Sequence, residues 1–171
     1  MIDYQLAKAL FDYDPVSGDL TWRVQTNATP KGKIAGTIRK HKVEHYTSYI
    51  CVTVFGEQYK AHRIIWLLQT KKWPTKHIDH IDGNGLNNSW SNLREVTASQ
   101  NAMNQKVRSD SASGIKGVSY DKDRDVWYVY IDVDRKRKHL GRYETKDEAA
   151  AARLAAEKIY HGDYARKQIN G

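Results

Sequence analysis

Hydrophobic positions change their period along the chain, and those changes divide it into elements. Between Tyr4 and Phe11, Leu6, Ala7 and Leu10 recur at helical spacing, enough for a short helix at best. Pro15-Val16-Ser17-Gly18 reads as a turn, and Leu20 to Val24 as a strand. Thr29 to Lys42 is polar, with Gly32, Gly36 and several lysines, and reads as a loop or irregular hairpin. Tyr49 to Phe55 is rich in β-formers, Gly56-Glu57-Gln58 turns it, and Tyr59 to Ala61 begins the return. Ile64, Ile65, Leu67 and Leu68 restore the helical period until Pro74 ends it. Ile78 to Ile81 suits a short strand, and Leu93 to Val96 suits its return. Asp82 to Ser91 between them is crowded with Asp, Gly and Asn, the residues of turns. Thr97 can cap a helix running through Met103, with Asn101 one turn in.

Residues 105–113 are polar, with Ser109, Ser111 and Ser113, and read as a linker. Beyond them come three short strands, Gly117–Tyr120, Val126–Val133 and Lys138–Tyr143, with turns at Asp121 to Asp125 and Asp134 to Arg137. Thr145-Lys146-Asp147-Glu148 is a capping box opening a thin, alanine-rich helix that Gly162 stops. Alternation along the second strand puts Trp127, Val129 and Ile131 toward the helix and Tyr128, Tyr130 and Asp132 on the other face. The pattern predicts an α+β chain, with residues 1–104 as one domain (core 62–104), 105–113 as linker and 114–171 as a second domain. There is no internal repeat between the halves.

Composition narrows the function. A formal net charge of +8 is concentrated in the run Arg135-Lys136-Arg137-Lys138, and five tryptophans and eleven tyrosines accompany it. Rings interleaved with cations suit a nucleic-acid surface, although a merely solvated basic face is the alternative. The single cysteine, Cys51, excludes an internal disulfide and any multi-cysteine zinc site, and in an apolar run it reads as a buried small residue. No stretch nears the roughly 18 consecutive apolar residues of a membrane helix. Met1-Ile2-Asp3-Tyr4 offers no apolar signal core, so a cytoplasmic protein without membrane partners is expected.

The segment Ile78 to Asn104 carries the chemistry. Phosphodiester hydrolysis needs a hard divalent cation on oxygen ligands, a base for the attacking water, and a partner that holds the base in one tautomer. Asp79 and Asn101 supply a carboxylate and an amide oxygen, and His80 supplies an imidazole titrating near ~6.5. Asn92, across the hairpin, can accept from that ring or tie its backbone. Adjacent strand residues point to opposite faces, so a bend or bulge at the strand end is expected if Asp79 and His80 share a site.

Asp79-His80-Ile81-Asp82-Gly83-Asn84, the pair Asn87-Asn88, Asn92-Leu93-Arg94 with Val96-Thr97, and Asn101 together resemble the HNH endonuclease family, in its homing and phage branch with the ββα-metal fold. The resemblance runs from about His62-Arg63 to Asn104. It implies His80 as general base, Asp79 and Asn101 as metal ligands and Asn92 as the structural middle residue. Asparagine in the third place, and the absence of paired cysteines, favour Mg2+ (or Mn2+) over zinc, with no structural zinc. Asp82, Asn84, Asn87 and Asn88 also read simply as turn formers. His77 reads as a surface or phosphate-contacting residue. His62 packs beside the site or binds phosphate, and Arg94 contacts phosphate or pairs with an acid. Arg63 joins Arg94 as a candidate phosphate contact.

Lys116-Gly117-Val118, Trp127, Ile131, Leu140-Gly141-Arg142-Tyr143, the alanine-rich helix and Gly162 resemble a second family, the plant ethylene-response-factor (APETALA) DNA-binding domain. The resemblance covers about Ser113 to Arg166. It implies a three-stranded antiparallel sheet lying in the major groove with one helix packed behind. Ser119, Tyr128, Tyr130, Arg137, Lys138, His139 and Arg142 then become DNA-binding candidates, with Trp127 in the core. Ser119, Tyr130, Asp132 and His139 depart from the family's usual residues, so its base preference does not carry over.

The expected protein is a DNA endonuclease or nickase acting on double-stranded DNA, as monomer or homodimer, with cutting before the linker and targeting after it. A DNA-binding regulator with an inactive HNH unit is the alternative from another class, and a structure-specific or RNA-directed nuclease is a third.

Overall fold

Local signals open and close the elements of the first half. A computed structural model describes residues 1–25, 30–40, 47–105, 107 and 111–166. Asp3 caps α1 (Tyr4–Leu10) by accepting from the Leu6 amide at 2.8 Å. The chain then extends at once into β1 (Phe11–Tyr13), which pairs antiparallel with β2 (Leu20–Trp22) around the Pro15–Gly18 turn. The sequence pattern does not reveal β1, because Phe11 belongs to the segment read as helix and the two residues after it are too few to show a strand period.

β3 (Thr37–Arg39), β4 (Tyr49–Val54) and β5 (Glu57–Lys60) form an antiparallel sheet with β4 in the middle. Phe55 and Gly56 take φ of 49° and 80°, the paired left-handed positions of a type I′ hairpin turn, so Glu57 already belongs to β5. Residues 37–39 of the polar segment read as a loop or irregular hairpin form an edge strand, while positions 29 and 41–42 of that segment lie outside the described residues. Cys51 on β4 is half-buried rather than enclosed. α2 (Ala61–Thr70) ends before the proline expected to stop it: Lys71 adopts a left-handed φ of 61° and its amide bonds Leu67 O. β6 (His77–His80) and β7 (Leu93–Val96) close a second hairpin, with a 3-10 turn at Trp90–Asn92 entering β7. Ala7, Phe11, Leu20, Val52, Ile64, Ile65, Leu67, Ile78 and Leu93 form one core beneath these elements.

The chain forms two compact units, Met1–Val96 and Thr97–Gly171. The second unit begins with α3 (Ala98–Asn104), opened by a reciprocal capping box between Thr97 and Gln100. Positions 106 and 108–110 of the expected linker lie outside the described residues. Ser113, its last residue, is buried and bonds Val118 O at 2.6 Å. β8 (Val118–Asp121), β9 (Val126–Val133) and β10 (Lys136–Tyr143) form an antiparallel sheet in the order β10-β9-β8. Asp134 and Arg135, at φ of 49° and 65°, make the type I′ turn that starts β10 two residues earlier than the sequence pattern implies. α4 (Lys146–Tyr160) opens on the expected capping box and lies against β9 and β10. Val118, Val129 and Ala149 form this unit's core, with Trp127 and Tyr143 packed on it. The architecture is α+β.

Candidate active site

The β6–β7 ladder runs in regular register, with Asp79 opposite Arg94 and His80 opposite Leu93. No bulge interrupts it. His80 is instead the last residue of β6, and the chain turns at once, the Gly83 amide bonding His80 O at 2.8 Å. By alternation His80 shares the face of core residues Ile78 and Leu93, whereas Asp79 faces with Arg94. Both are buried, at 4 % and 7 % exposure, so their polar atoms depend on the partners they meet there.

The loop between the strands is organised by Asp82. Its carboxylate accepts from the Asn84 amide at 2.7 Å, from Asn87 Nδ2 at 2.8 Å and from Asn92 Nδ2 at 3.0 Å. Burial would raise its pKa, but these donors outweigh burial and hold it below the usual carboxylate range. Asn92 Oδ1 accepts from the Asp82 amide at 3.0 Å, its Nδ2 also reaches Asn87 O at 2.8 Å, and its carbonyl accepts from the Ile81 amide at 2.9 Å. Asn92 thus ties the backbone that follows His80, one of the two roles open to it from the sequence. Asp82, Asn84 and Asn87 are the turn formers they resemble.

Asn88 is not. It is 2 % exposed, and its Oδ1 lies 3.0 Å from His80 Nε2. An amide oxygen accepts, so this contact selects the Nε2–H tautomer and puts the basic lone pair on Nδ1. The N-terminal hairpin places Asn88: Tyr13 Oη donates to Asn88 O at 2.8 Å, and the Trp90 amide donates to Pro15 O at 2.9 Å. Gly18, at φ of 84°, lies so close that an added Cβ would stand 2.4 Å from the Ser89 nitrogen and 2.6 Å from the Asn88 carbonyl carbon. Asn88→Ala is expected to lower kcat about tenfold to a hundredfold, the range for losing a partner that orients a reactive histidine, with KM little changed. Gly18→Ala should lower kcat in the same sense by displacing Asn88. Steady-state kinetics on supercoiled plasmid checks both, and a wild-type kcat in both would remove the hairpin from the site.

On its other side His80 packs among rings. His62 of α2 lies edge-on at 5.0 Å between centroids, and Tyr49 of β4 lies 5.9 Å from His80 and 5.3 Å from His62. Burial, then the charge of Asp79, raises the Tyr49 pKa. His62 is the packing neighbour, not an exposed phosphate ligand. Burial first, and then His80, Lys60 and Arg63, push its pKa from 6.5 down to about 2. The folded chain therefore keeps His62 neutral while the unfolded chain protonates it below pH 6.5, so the unfolded state binds more protons as pH falls. His62 alone should cost about 1.4 kcal/mol of stability per pH unit below 6.5. His80, also lowered by burial, acts in the same direction. Urea unfolding at about pH 7 and about pH 5 measures the slope. His62→Gln should flatten it, and an identical slope in that variant would contradict the assignment.

Arg94 pairs with an acid: its Nε and Nη2 both lie 2.9 Å from Asp79 Oδ2. Arg63 reaches Pro74 O at 3.4 Å and lies near the Trp73 ring. His77, as expected, is exposed. Asn101 sits on α3, in the second unit, with its amide bonded to Thr97 O.

In the second unit, the ladder aligns Ser119 and Arg142 with Tyr128, His139 with Tyr130, and Arg137 with Asp132, which collects them on one face. Arg137 stacks 3.8 Å over Tyr130 and bonds both Asp132 oxygens, and the Tyr128 and His139 rings lie 4.2 Å apart. Lys138 departs from this group. Its register partner is the buried Ile131, and it lies over the Tyr160 ring of α4, on the helix side.

Among the described residues, no group of three or more His, Cys, Asp or Glu is arranged to hold a metal ion, and no helix is long and apolar enough to cross a membrane. Comparison with known proteins places this geometry in a family. The HNH endonuclease profile matches residues 59–103, which span the His62, His80 and Asn92 positions. Protein 3.8 of Escherichia phage T7 is 36 % identical over 116 residues, covering 66 % of this chain and 95 % of that protein. An uncharacterized HNH endonuclease, L560, of Acanthamoeba polyphaga mimivirus is 43 % identical over 62 residues, 35 % of this chain and 33 % of that one. A solved structure of DNA binding and cleavage by the HNH homing endonuclease I-HmuI shares 18 % identity at a TM-score of 0.41, covering 99 % of this chain and 98 % of that one. The chain belongs to the HNH endonuclease family, and it is a nuclease.

Proposed function

We propose that this nuclease hydrolyses phosphodiester bonds of double-stranded DNA with His80 as general base. The observation that carries the proposal is the buried His80–Asn88 pair. Burial holds the His80 pKa below 6.5, against the opposing pull of Asn88, Asp82 and Asp79, so the ring is neutral near pH 7. Nδ1 takes the proton from water, the resulting hydroxide attacks phosphorus, and the bond to the leaving oxygen breaks. Asn88 keeps the tautomer, and Asn92 holds the loop that carries Asn88's neighbours.

The donor chemistry fits a hard cation: Asp79 offers a carboxylate and Asn101 an amide oxygen, a set that leaves magnesium or manganese mostly hydrated and offers zinc no thiolate. Such an ion, held by Asp79 and Asn101, would neutralise charge on the scissile phosphate and the leaving oxygen. The aromatic and basic face of the second unit, with Ser119, Tyr128, Tyr130, Arg137, His139 and Arg142, would serve as the DNA-targeting surface, as the ethylene-response-factor resemblance implies. The test is incubation with plasmid in magnesium or manganese, with and without EDTA, scoring nicked against linear product. Cutting that EDTA abolishes is expected. No product under any divalent ion, or full cutting in EDTA, would reject the proposal.

A further inference from the structure

The second unit contains a cavity of about 360 Å³ that plays no part in the cutting chemistry. Ala98, Ala102 and Met103 of α3 form an apolar wall, and Lys116, Arg135 and Arg153 bring cations to it. Arg153 is the unexpected member. At the 149, 153, 156 spacing it falls on the inward face of α4, between two buried alanines, and it is 3 % exposed.

Arg153 Nη2 reaches Glu157 at 3.1 Å, but its Nε and Nη1 have no hydrogen-bond acceptor. His161 also lines the cavity; its Nε2 lies 3.0 Å from Asp132 O, and its Nδ1 has no partner. Buried donors left unmade are rare in folded proteins, so the pair on Arg153 points to a ligand. The backbone makes room for this guanidinium. Gly117, at φ of 72°, leaves open a place where a Cβ would stand 2.8 Å from Nε.

The local charge has the matching sign. Asp132, the cavity's acid, is occupied by Arg137, and Glu157 is occupied by Arg153. Lys116 donates to Ala102 O and Met103 O at the end of α3, which engages two of its three hydrogens without neutralising its charge. Burial, and then the charge of Arg153, lower its pKa, as befits cations crowded without enough anions.

We propose that this cavity binds a phosphate group through the guanidinium of Arg153, with Lys116 and Arg135 supplying further positive charge. A guanidinium N–H left without an acceptor can donate a charge-assisted bond to a phosphate oxygen, and the apolar wall leaves room beyond the phosphate for the body of a nucleotide. That phosphate belongs either to a free nucleotide or to a nucleic-acid strand.

Isothermal titration of the full chain in EDTA, against chloride at matched ionic strength, tests this independently of cutting. The probes are inorganic phosphate, a deoxynucleoside monophosphate and a short duplex. Saturable binding of phosphate at one site is expected, lost in Arg153→Met and weakened about tenfold in Arg135→Asn. Asparagine tolerates the left-handed backbone of the exposed position 135, so that variant keeps the fold even if Arg153→Met does not. Tighter binding of the monophosphate names a free nucleotide as the source. Binding of the duplex alone, weakened by the same substitutions, names the strand. No saturable binding of any probe overturns the proposal, as does binding unchanged in Arg135→Asn.

Discussion

Replacing His80 with alanine should lower DNA cleavage by about 10²–10⁴-fold, the contribution of a positioned general base, while DNA affinity stays near that of the parent chain. The separation follows from burial. His80 is 4 % exposed, so it contributes little surface to a docked duplex, whereas its loss removes the proton acceptor. The substitution also opens a space beside His62, Tyr49 and Asn88, which frame the ring. Imidazole added to the medium can enter that space and should restore part of the rate. Electrophoretic mobility shift in EDTA and plasmid cleavage in magnesium provide the two readouts. Cleavage at the parental rate would end the assignment of His80 as base. Parallel loss of binding and cleavage would instead make His80 a structural residue.

Arg94→Met should destabilise the chain by about 3–5 kcal/mol, because it takes the guanidinium away from a buried carboxylate while leaving the carboxylate in place. The side chains of Arg94 and Asp79 are 17 % and 8 % exposed, so solvent does little to replace the lost partner. Combining it with Asp79→Asn should recover most of that loss, since removing both charges is far less costly than stranding one. Chemical denaturation of the three variants gives the cycle directly. If Asp79 also holds a divalent ion, saturating magnesium should stabilise Arg94→Met but not the double variant, because only the former keeps an anionic ligand. Equal stability of Arg94→Met and the parent chain would show that the pair contributes nothing.

The family resemblance is legible in the sequence because the residues that carry it lie close together. Asp79 and His80 are neighbours, Asn92 lies one loop away, and each is of a residue type whose chemistry is limited. Helix starts are equally readable: Thr97 forms the expected cap, completed into a box by Gln100, and Thr145 forms the expected capping box. Asn88 is not distinguishable in the sequence, because a loop full of Asp, Gly and Asn offers no signal to separate a turn former from a histidine's partner. Arg153 is masked by the alanines around it, although the 149, 153, 156 spacing puts it on the inward face. Lys138 and Arg137 are adjacent in the sequence, but the period of two in β10 puts them on opposite faces.

By itself, then, the sequence determined the kind of chemistry, the family resemblance and the order of elements, because these depend on residue type and on separations of a few positions. Only the tertiary structure decided which groups are buried and what they meet there. Asn88 is set by Tyr13, 75 residues away in the chain, and His62 meets His80 through the packing of α2 against the β6–β7 hairpin. Burial and long-range contact are what turn an ordinary loop asparagine into a tautomer clamp and hold an ordinary histidine neutral, and neither property is written in local spacing.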